Sequence, residues 1–187
     1  MLVPLLVVIV ATTVAGIIDI RRFRVPNAVT LPLFLSGVLY HTILHGWEGL
    51  LLSGLGALFG LGVLLIPYML GGMGSGDVKL LAGVGAWLGV PTTIYVFVVA
   101  AFAAGAHALV LGARHGGMRR AASAAVIVML QIRNIGRHLV PTERIESLTE
   151  RPERRKHLVP FAAMIAVGVI VVVICSQWLA SAIEPPS

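Results

Sequence analysis

The sequence predicts an all-α integral membrane protein, and composition and charge carry that prediction. Of the 187 residues, 58% are hydrophobic and only 12% are charged, whereas a soluble domain usually carries about 25% charged residues. The mean hydropathy is +0.96. A water-soluble monomer of this size has too little interior to bury so many apolar side chains, so these must face lipid. The single cysteine, Cys175, excludes a disulfide framework and a CxxC-type zinc site.

The first three predicted helices span residues 2–18, 29–45 and 49–70. Each is close to the length of about 20 apolar residues that crosses a bilayer. Three arginines follow the first helix, which is the reverse of the charge order in a cleaved signal peptide. Pro26 and Asn27 form a helix-start signal before the second helix. In the third helix, four glycines lie at the small-residue spacing that allows close helix packing.

The next two predicted helices follow a segment at 71–77 that is too rich in glycine to be helical. From residue 78 to residue 113 only one residue is charged, and Gly-Val-Pro at 89–91 interrupts the apolar run. The run is therefore predicted to form two helices, 77–88 and 92–113. The first of them is short, so it either crosses the bilayer or re-enters on the same side.

Residues 114–157 hold most of the charge, and the last predicted helix is 158–183. Within the charged segment, residues 118–139 have an apolar start and a basic end at helical spacing, which suits a helix lying at the membrane interface. The alternative is a seventh span, and Arg133 and Arg137 argue against it. The whole chain, residues 1–187, is predicted to be one membrane domain with six transmembrane helices.

The basic residues test this arrangement. With six spans, the three connections on one side hold 3, 1 and 10 of the 14 Lys and Arg residues, and the other side holds none. Because cytoplasmic loops are enriched in Lys and Arg, both termini are predicted outside and the basic loops inside. The formal net charge of +6 therefore sets orientation and does not indicate a nucleic-acid partner.

Two of the eight acidic residues, Asp19 and Asp77, are predicted at a membrane boundary next to apolar helices. Carboxylates near lipid are costly and tend to be functional. Two carboxylates in one partly desolvated site cannot both ionise easily, so one keeps a proton while the other acts as a base. The ionised carboxylate can take a proton from a water that attacks a peptide carbonyl, and the protonated one can donate to the carbonyl oxygen and the leaving amine.

Structural roles are the alternatives for the same residues. Asp77 opens a helix, where a carboxylate serves as a cap, and Asp19 could pair with Arg21 or Arg22. The glycines before Asp77 resemble a phosphate-binding loop only weakly, because no GKS/T follows and no strand precedes. As a hinge they would let the backbone approach a substrate strand and let Asp77 move towards Asp19.

Three blocks of the sequence resemble those of the type IV prepilin peptidases. Residues 74–80, GSGDVKL, look like the GxGD signature at the start of the family's fourth helix. Asp-Ile-Arg at 19–21, followed by Val-Pro-Asn at 25–27, looks like the family's first aspartate motif. Val-Pro-Phe-Ala at 159–162 is similar to the third block. The blocks occur in family order and span most of the chain.

The resemblance implies a membrane aspartic endopeptidase of the bacterial cytoplasmic membrane. Such an enzyme removes the short, basic leader of a prepilin, pseudopilin or similar protein at the cytoplasmic face. Its partners are that substrate and the lipid bilayer, with no nucleic acid and no metal or organic cofactor. The catalytic pair would be Asp19 and Asp77. Further candidates, for shaping the loop or contacting substrate, are Gly74, Gly76, Lys79, Pro26 and Asn27.

The single cysteine narrows the resemblance to one branch. Longer, bifunctional members of the family carry a zinc-binding cysteine segment and also N-methylate the product. This chain is similar to the short, peptidase-only branch found with tight-adherence (Flp) pili, so no N-methyltransferase activity is expected.

Two other classes of function compete with the peptidase. They are a small proton- or ion-coupled transporter subunit and a non-enzymatic pilus-assembly scaffold. Transporters usually place ionisable groups near the bilayer midplane, whereas both aspartates are predicted at its boundary. The predicted position of the aspartates therefore favours an enzyme that acts on a substrate at the cytoplasmic face.

Overall fold

The computed structural model describes residues 2–22, 24–69, 73–114 and 161–183. All regular secondary structure in these ranges is helical: α1 (Leu2–Arg22), α2 (Asn27–Met69), α3 (Ser75–Arg114) and α4 (Phe161–Ile183). Each of the four is long and apolar enough to cross a membrane. The prediction of an all-α protein with membrane-spanning character is confirmed for this part of the chain. The predicted interfacial helix 118–139 lies outside it.

Large apolar side chains cover the outer surface of all four helices. Leu6, Ile43, Phe102 and Ile174, one from each helix, expose between 61% and 77% of their area. Exposing apolar area to water is unfavourable by about 25 cal/mol per Å². A surface of this kind is stable when lipid covers it.

The sequence predicted six separate helices, whereas residues 2–22, 24–69, 73–114 and 161–183 form four continuous elements, two of which contain a break. Gly46 interrupts α2 (φ 58°, ψ −133°) and Gly89 interrupts α3 (φ 70°, ψ 176°). Glycine adopts positive φ without steric cost, so a single residue suffices for each break. The helix resumes directly after Gly89, and Pro91 lies in its first turn, where proline is tolerated. Each long helix therefore consists of two arms.

The first arm of α2 runs in the same direction as the first arm of α3. Leu33 lies against Gly83, where an added Cβ would be 3.0 Å from the leucine Cδ2. One turn further along, Gly37 lies against Ala86, with an added Cβ 3.1 Å from the alanine Cβ. Rising residue numbers in one arm thus pair with rising residue numbers in the other.

The second arm of α2 packs on the same arm of α3 in the opposite direction. The hydroxyl of Ser53 donates to the carbonyl of Ala86 at 2.8 Å. Further along α2, Gly60 lies against the backbone of Leu81. Rising numbers in α2 here pair with falling numbers in α3, so the chain reverses its direction at Gly46.

Helix α4 packs against both α1 and α3. Gly16 of α1 lies against Ala163, with an added Cβ 3.1 Å from the alanine Cα. Further along α4, Gly168 lies against the second arm of α3, where an added Cβ would be 2.7 Å from the carbonyl oxygen of Val96. These close approaches bring the first turn of α4 to the end of α1 that carries Asp19.

Candidate active site

Asp19 and Asp77 are the two charged side chains that the helices bury in the described part of the chain. Asp19 is 5% exposed and lies in the last turn of α1, and Asp77 is 7% exposed and lies in the first turn of α3. Burying a carboxylate is costly unless other groups compensate for the lost water. The environment that these two share therefore needs an explanation.

The two carboxylates meet at the start of α4. They lie close enough for their charges to interact. The backbone N–H of Ala162 donates to Oδ2 of Asp19 at 3.2 Å, and the carboxylate of Asp77 lies near the same N–H. Three helices distant in sequence thus place two acids around one amide.

The start of α4 suits negative charge. Ala162 is the second residue of this helix, and N–H groups in the first turn have no partner within the helix. The helix dipole also favours an anion at this end. The block at 159–162 was identified from the sequence, but the role of the Ala162 amide was not, because a backbone donor leaves no signal in side-chain identity.

One carboxylate oxygen of Asp77 forms no hydrogen bond with the described residues. Its Oδ1 is buried and has no hydrogen-bond partner among the described residues. The backbone N–H of Asp77 donates to the carbonyl of Gly74 at 3.2 Å, and an added Cβ on Gly74 would lie 3.6 Å from Oδ2. Buried polar atoms are rarely left unpaired. An unpaired carboxylate oxygen beside a second acid is a chemical feature that a structural cap does not need.

The segment between α1 and α2 packs directly on the start of α3. An added Cβ on Gly76 would be 2.9 Å from the Cβ of Val25 and 3.0 Å from its carbonyl oxygen. A larger residue at 76 would push the two segments apart. The carbonyl of Pro26 accepts from the N–H of Val29 at 3.0 Å as α2 begins. The first and second motif blocks are therefore in contact.

A second contact joins the same two segments. The Nζ of Lys79 donates to Oδ1 of Asn27 at 3.0 Å, and both side chains are exposed. Of the five further candidates, Lys79 and Asn27 form this contact and Gly76 lies at the contact with Val25. Pro26 lies between Val25 and Asn27 in the chain, and Gly74 lies next to Asp77.

The alternative pairing of Asp19 with arginine is not seen. Arg21 and Arg22 are exposed, whereas the carboxylate of Asp19 is directed to the start of α4. Within residues 2–22, 24–69, 73–114 and 161–183, no group of three or more His, Cys, Asp or Glu side chains could hold a metal ion. The chemistry of the described site is that of two carboxylates and backbone amides.

A family model and curated proteins that match this sequence both indicate a leader peptidase family. Residues 6–109 match the model of the type IV leader peptidase family. Curated proteins named prepilin leader peptidase/N-methyltransferase, from Aeromonas hydrophila and Aeromonas salmonicida (strain A449), are each 42% identical over 79 residues. The matched segment covers 38% of this chain and 27% of the length of each relative. No solved structure gives a significant match.

Proposed function

The chain belongs to the type IV leader peptidase family, and from this we propose that it is a membrane aspartic endopeptidase. It removes the short, basic leader from a prepilin or prepilin-like protein at the cytoplasmic face of the bacterial inner membrane. The observation that carries the proposal is the pair of buried carboxylates, Asp19 and Asp77, around the amide of Ala162.

The proposed chemistry needs one shared proton and one water. The ionised carboxylate takes a proton from the water while the water oxygen bonds to the scissile carbonyl carbon. The other carboxyl group donates its proton to the carbonyl oxygen, which becomes a hydroxyl. When the tetrahedral intermediate collapses, the first carboxyl group gives the amine the proton that it took from water, and the C–N bond breaks. The other carboxylate takes a proton from one hydroxyl of the intermediate, which becomes the C=O of the leader's new carboxylic acid, so the pair again holds one proton. The Oδ1 of Asp77, which has no hydrogen-bond partner among the described residues, supports this role.

A proton- or ion-coupled transporter and a non-enzymatic assembly scaffold are less well supported. Asp19 lies in the last turn of α1 and Asp77 in the first turn of α3, at helix ends and not midway along a span. Transporters usually bind their ions near the midplane. A scaffold would have no need of two buried acids with an unpaired oxygen.

We also propose peptidase activity without N-methyltransferase activity. The relatives carry both activities in their name, but the matched segment is 27% of their length. The single Cys175 leaves this sequence without the cysteine segment of bifunctional members. On this proposal, the mature product carries an unmethylated N-terminus.

Six membrane crossings with both termini outside remain our proposal for the topology. The reversal of α2 at Gly46 and the matching break of α3 at Gly89 support it. Glycine breaks and apolar arms on both sides are the pattern of helical hairpins. This arrangement places Asp19 and Asp77 at the cytoplasmic boundary.

Cysteine labelling tests this topology. In a Cys175→Ser background, we expect Trp47→Cys to react with a membrane-impermeant maleimide on intact spheroplasts. Arg24→Cys should react only after the membrane is permeabilised. Both positions are exposed in the structure, so accessibility within the protein does not limit the reaction. Labelling of both from the same side would contradict the topology.

Co-expression tests the proposed activity. The chain and a tagged prepilin are produced together in a host strain that lacks its own prepilin peptidase. We expect the prepilin band to shift, on an immunoblot, to the mobility of the mature pilin. An unprocessed prepilin beside normal membrane levels of the protein would favour the transporter or scaffold alternative.

A further inference from the structure

Lys79 faces away from the carboxylates it follows in sequence. Residues two positions apart on an α-helix point about 200° away from each other around the helix axis, and Lys79 comes two positions after Asp77. Within the described part of the chain, Lys79 forms no hydrogen bond or ion pair with Asp19 or Asp77. Its ammonium group instead contacts the first residue of α2, Asn27. The position of Lys79 therefore does not allow it to take part directly in the proton transfers.

The start of α3 makes two contacts with the segment around the start of α2, one on each side of Asp77. On one side, Gly76 packs on the buried Val25. On the other, the Lys79–Asn27 bridge, the hydrogen bond between these two side chains, spans 52 residues of sequence. Val25 and Asn27 follow closely after the last turn of α1, which carries Asp19, so the two contacts link the positions of the two acids.

Beyond the contact of Gly76 with Val25, the segment before Asp77 has little packing that fixes it. Gly74 precedes the helix, an added Cβ there would meet nothing closer than 3.6 Å, and glycine has more backbone freedom than any other residue. We infer that the Lys79–Asn27 bridge is a positioning contact that holds Asp77 against Asp19, and that neither residue takes part in the chemistry. This inference rests on the proposed function.

Kinetics of a double-mutant cycle test the inference. An exposed hydrogen bond to a charged group is modest in strength, so Lys79→Met and Asn27→Ala should each lower kcat/KM for prepilin about fivefold. The double variant should be no worse than either single variant, because each removes the same contact. Lys79→Arg should restore most of the activity, since a guanidinium can also donate to Oδ1 of Asn27.

A second readout does not depend on activity. In the Cys175→Ser background, cysteines replace Asp19 and Asp77, and disulfide formation is read as protection of both thiols from maleimide. We expect Lys79→Met and Asn27→Ala to lower the disulfide yield equally. The matched control is Arg22→Met, which removes an exposed positive charge that forms no hydrogen bond or ion pair with the described residues. It should leave both readouts unchanged.

Two outcomes would overturn the inference. One is an unchanged disulfide yield in both variants. The other is a double variant whose loss equals the product of the single losses, with Lys79→Met far more damaging than Asn27→Ala, which would place Lys79 in contact with substrate. A protein that shows the disulfide dependence but never cleaves prepilin would support the positioning contact and refute the proposed peptidase activity, so the two failures are distinguishable.

Discussion

Asp19→Asn and Asp77→Asn are each expected to abolish processing of a co-expressed prepilin. The amide has nearly the shape of the carboxylic acid but can neither accept a proton from water nor release one to the leaving amine. Acid–base catalysis by a positioned group is typically worth about 10²–10⁴-fold in rate. Because both groups act on one water, the double variant should be no slower than either single variant. An immunoblot of prepilin and mature pilin measures the effect.

Membrane content separates lost chemistry from lost folding in this experiment. Both variants should reach the membrane at wild-type levels, since replacing a buried carboxylate by an amide removes charge without changing volume. Glu48→Gln is the matched control, because Glu48 is an exposed acid on the opposite side of the proposed topology. It should process prepilin at the wild-type rate. Full cleavage by either aspartate variant would refute the paired-carboxylate mechanism.

Gly85→Val is expected to destabilise the fold strongly. The backbones of Gly85 and Gly56 touch, and a Cβ added to either would overlap the carbonyl oxygen of the other. The obstacle is backbone and not a flexible side chain, so α2 and α3 would have to separate. Overpacking a close contact usually costs about 1–3 kcal/mol and occasionally more. We expect Gly85→Val to lower the free energy of unfolding by the upper end of this range or more. The measurements are the unfolding temperature in detergent, which should fall, and size-exclusion chromatography, in which the monodisperse peak should be lost.

Gly62→Ala is the matched control for that change. Gly62 lies in the same helix as Gly56, but an added Cβ there has nothing within 4 Å. Alanine favours a helix over glycine by about 1 kcal/mol in water, so the variant should be at least as stable as the wild type. Equal stability of Gly85→Val and Gly62→Ala would contradict the close packing of α2 on α3.

Much of the fold could be predicted because lipid imposes a simple rule. Apolar runs long enough to span hydrocarbon must be helical, since a helix satisfies its own backbone groups. Both breaks were predicted as well, by Gly-Val-Pro at 89–91 and by the gap between the predicted helices 29–45 and 49–70. Helix ends were predicted less well. Hydropathy ends the first span at residue 18, whereas α1 continues to Arg22, because long basic side chains extend to the interface while the backbone stays helical.

The two acids of the site were predictable because charge is rare in this chain. Asp19 directly follows one apolar run and Asp77 directly precedes another, so both are conspicuous in the sequence. The amide of Ala162, which donates to Asp19 and lies near Asp77, is 143 residues from Asp19, and a backbone amide leaves no signal in the identity of a side chain. The partner of Lys79 was also not predicted. Helical spacing shows that Lys79 points away from Asp77, but only the packing of α2 against α3 shows that it contacts Asn27.

Mass spectrometry of prepilin incubated with the purified, detergent-solubilised protein tests the central claim most directly. The account predicts two products, a leader ending in a free carboxylate and a mature pilin, whose masses sum to that of the prepilin plus one water. With Asp19→Asn or Asp77→Asn the prepilin should keep its full mass. Intact prepilin after incubation with the wild-type protein, or equal cleavage by the aspartate variants, would contradict the assignment of this site as a leader peptidase.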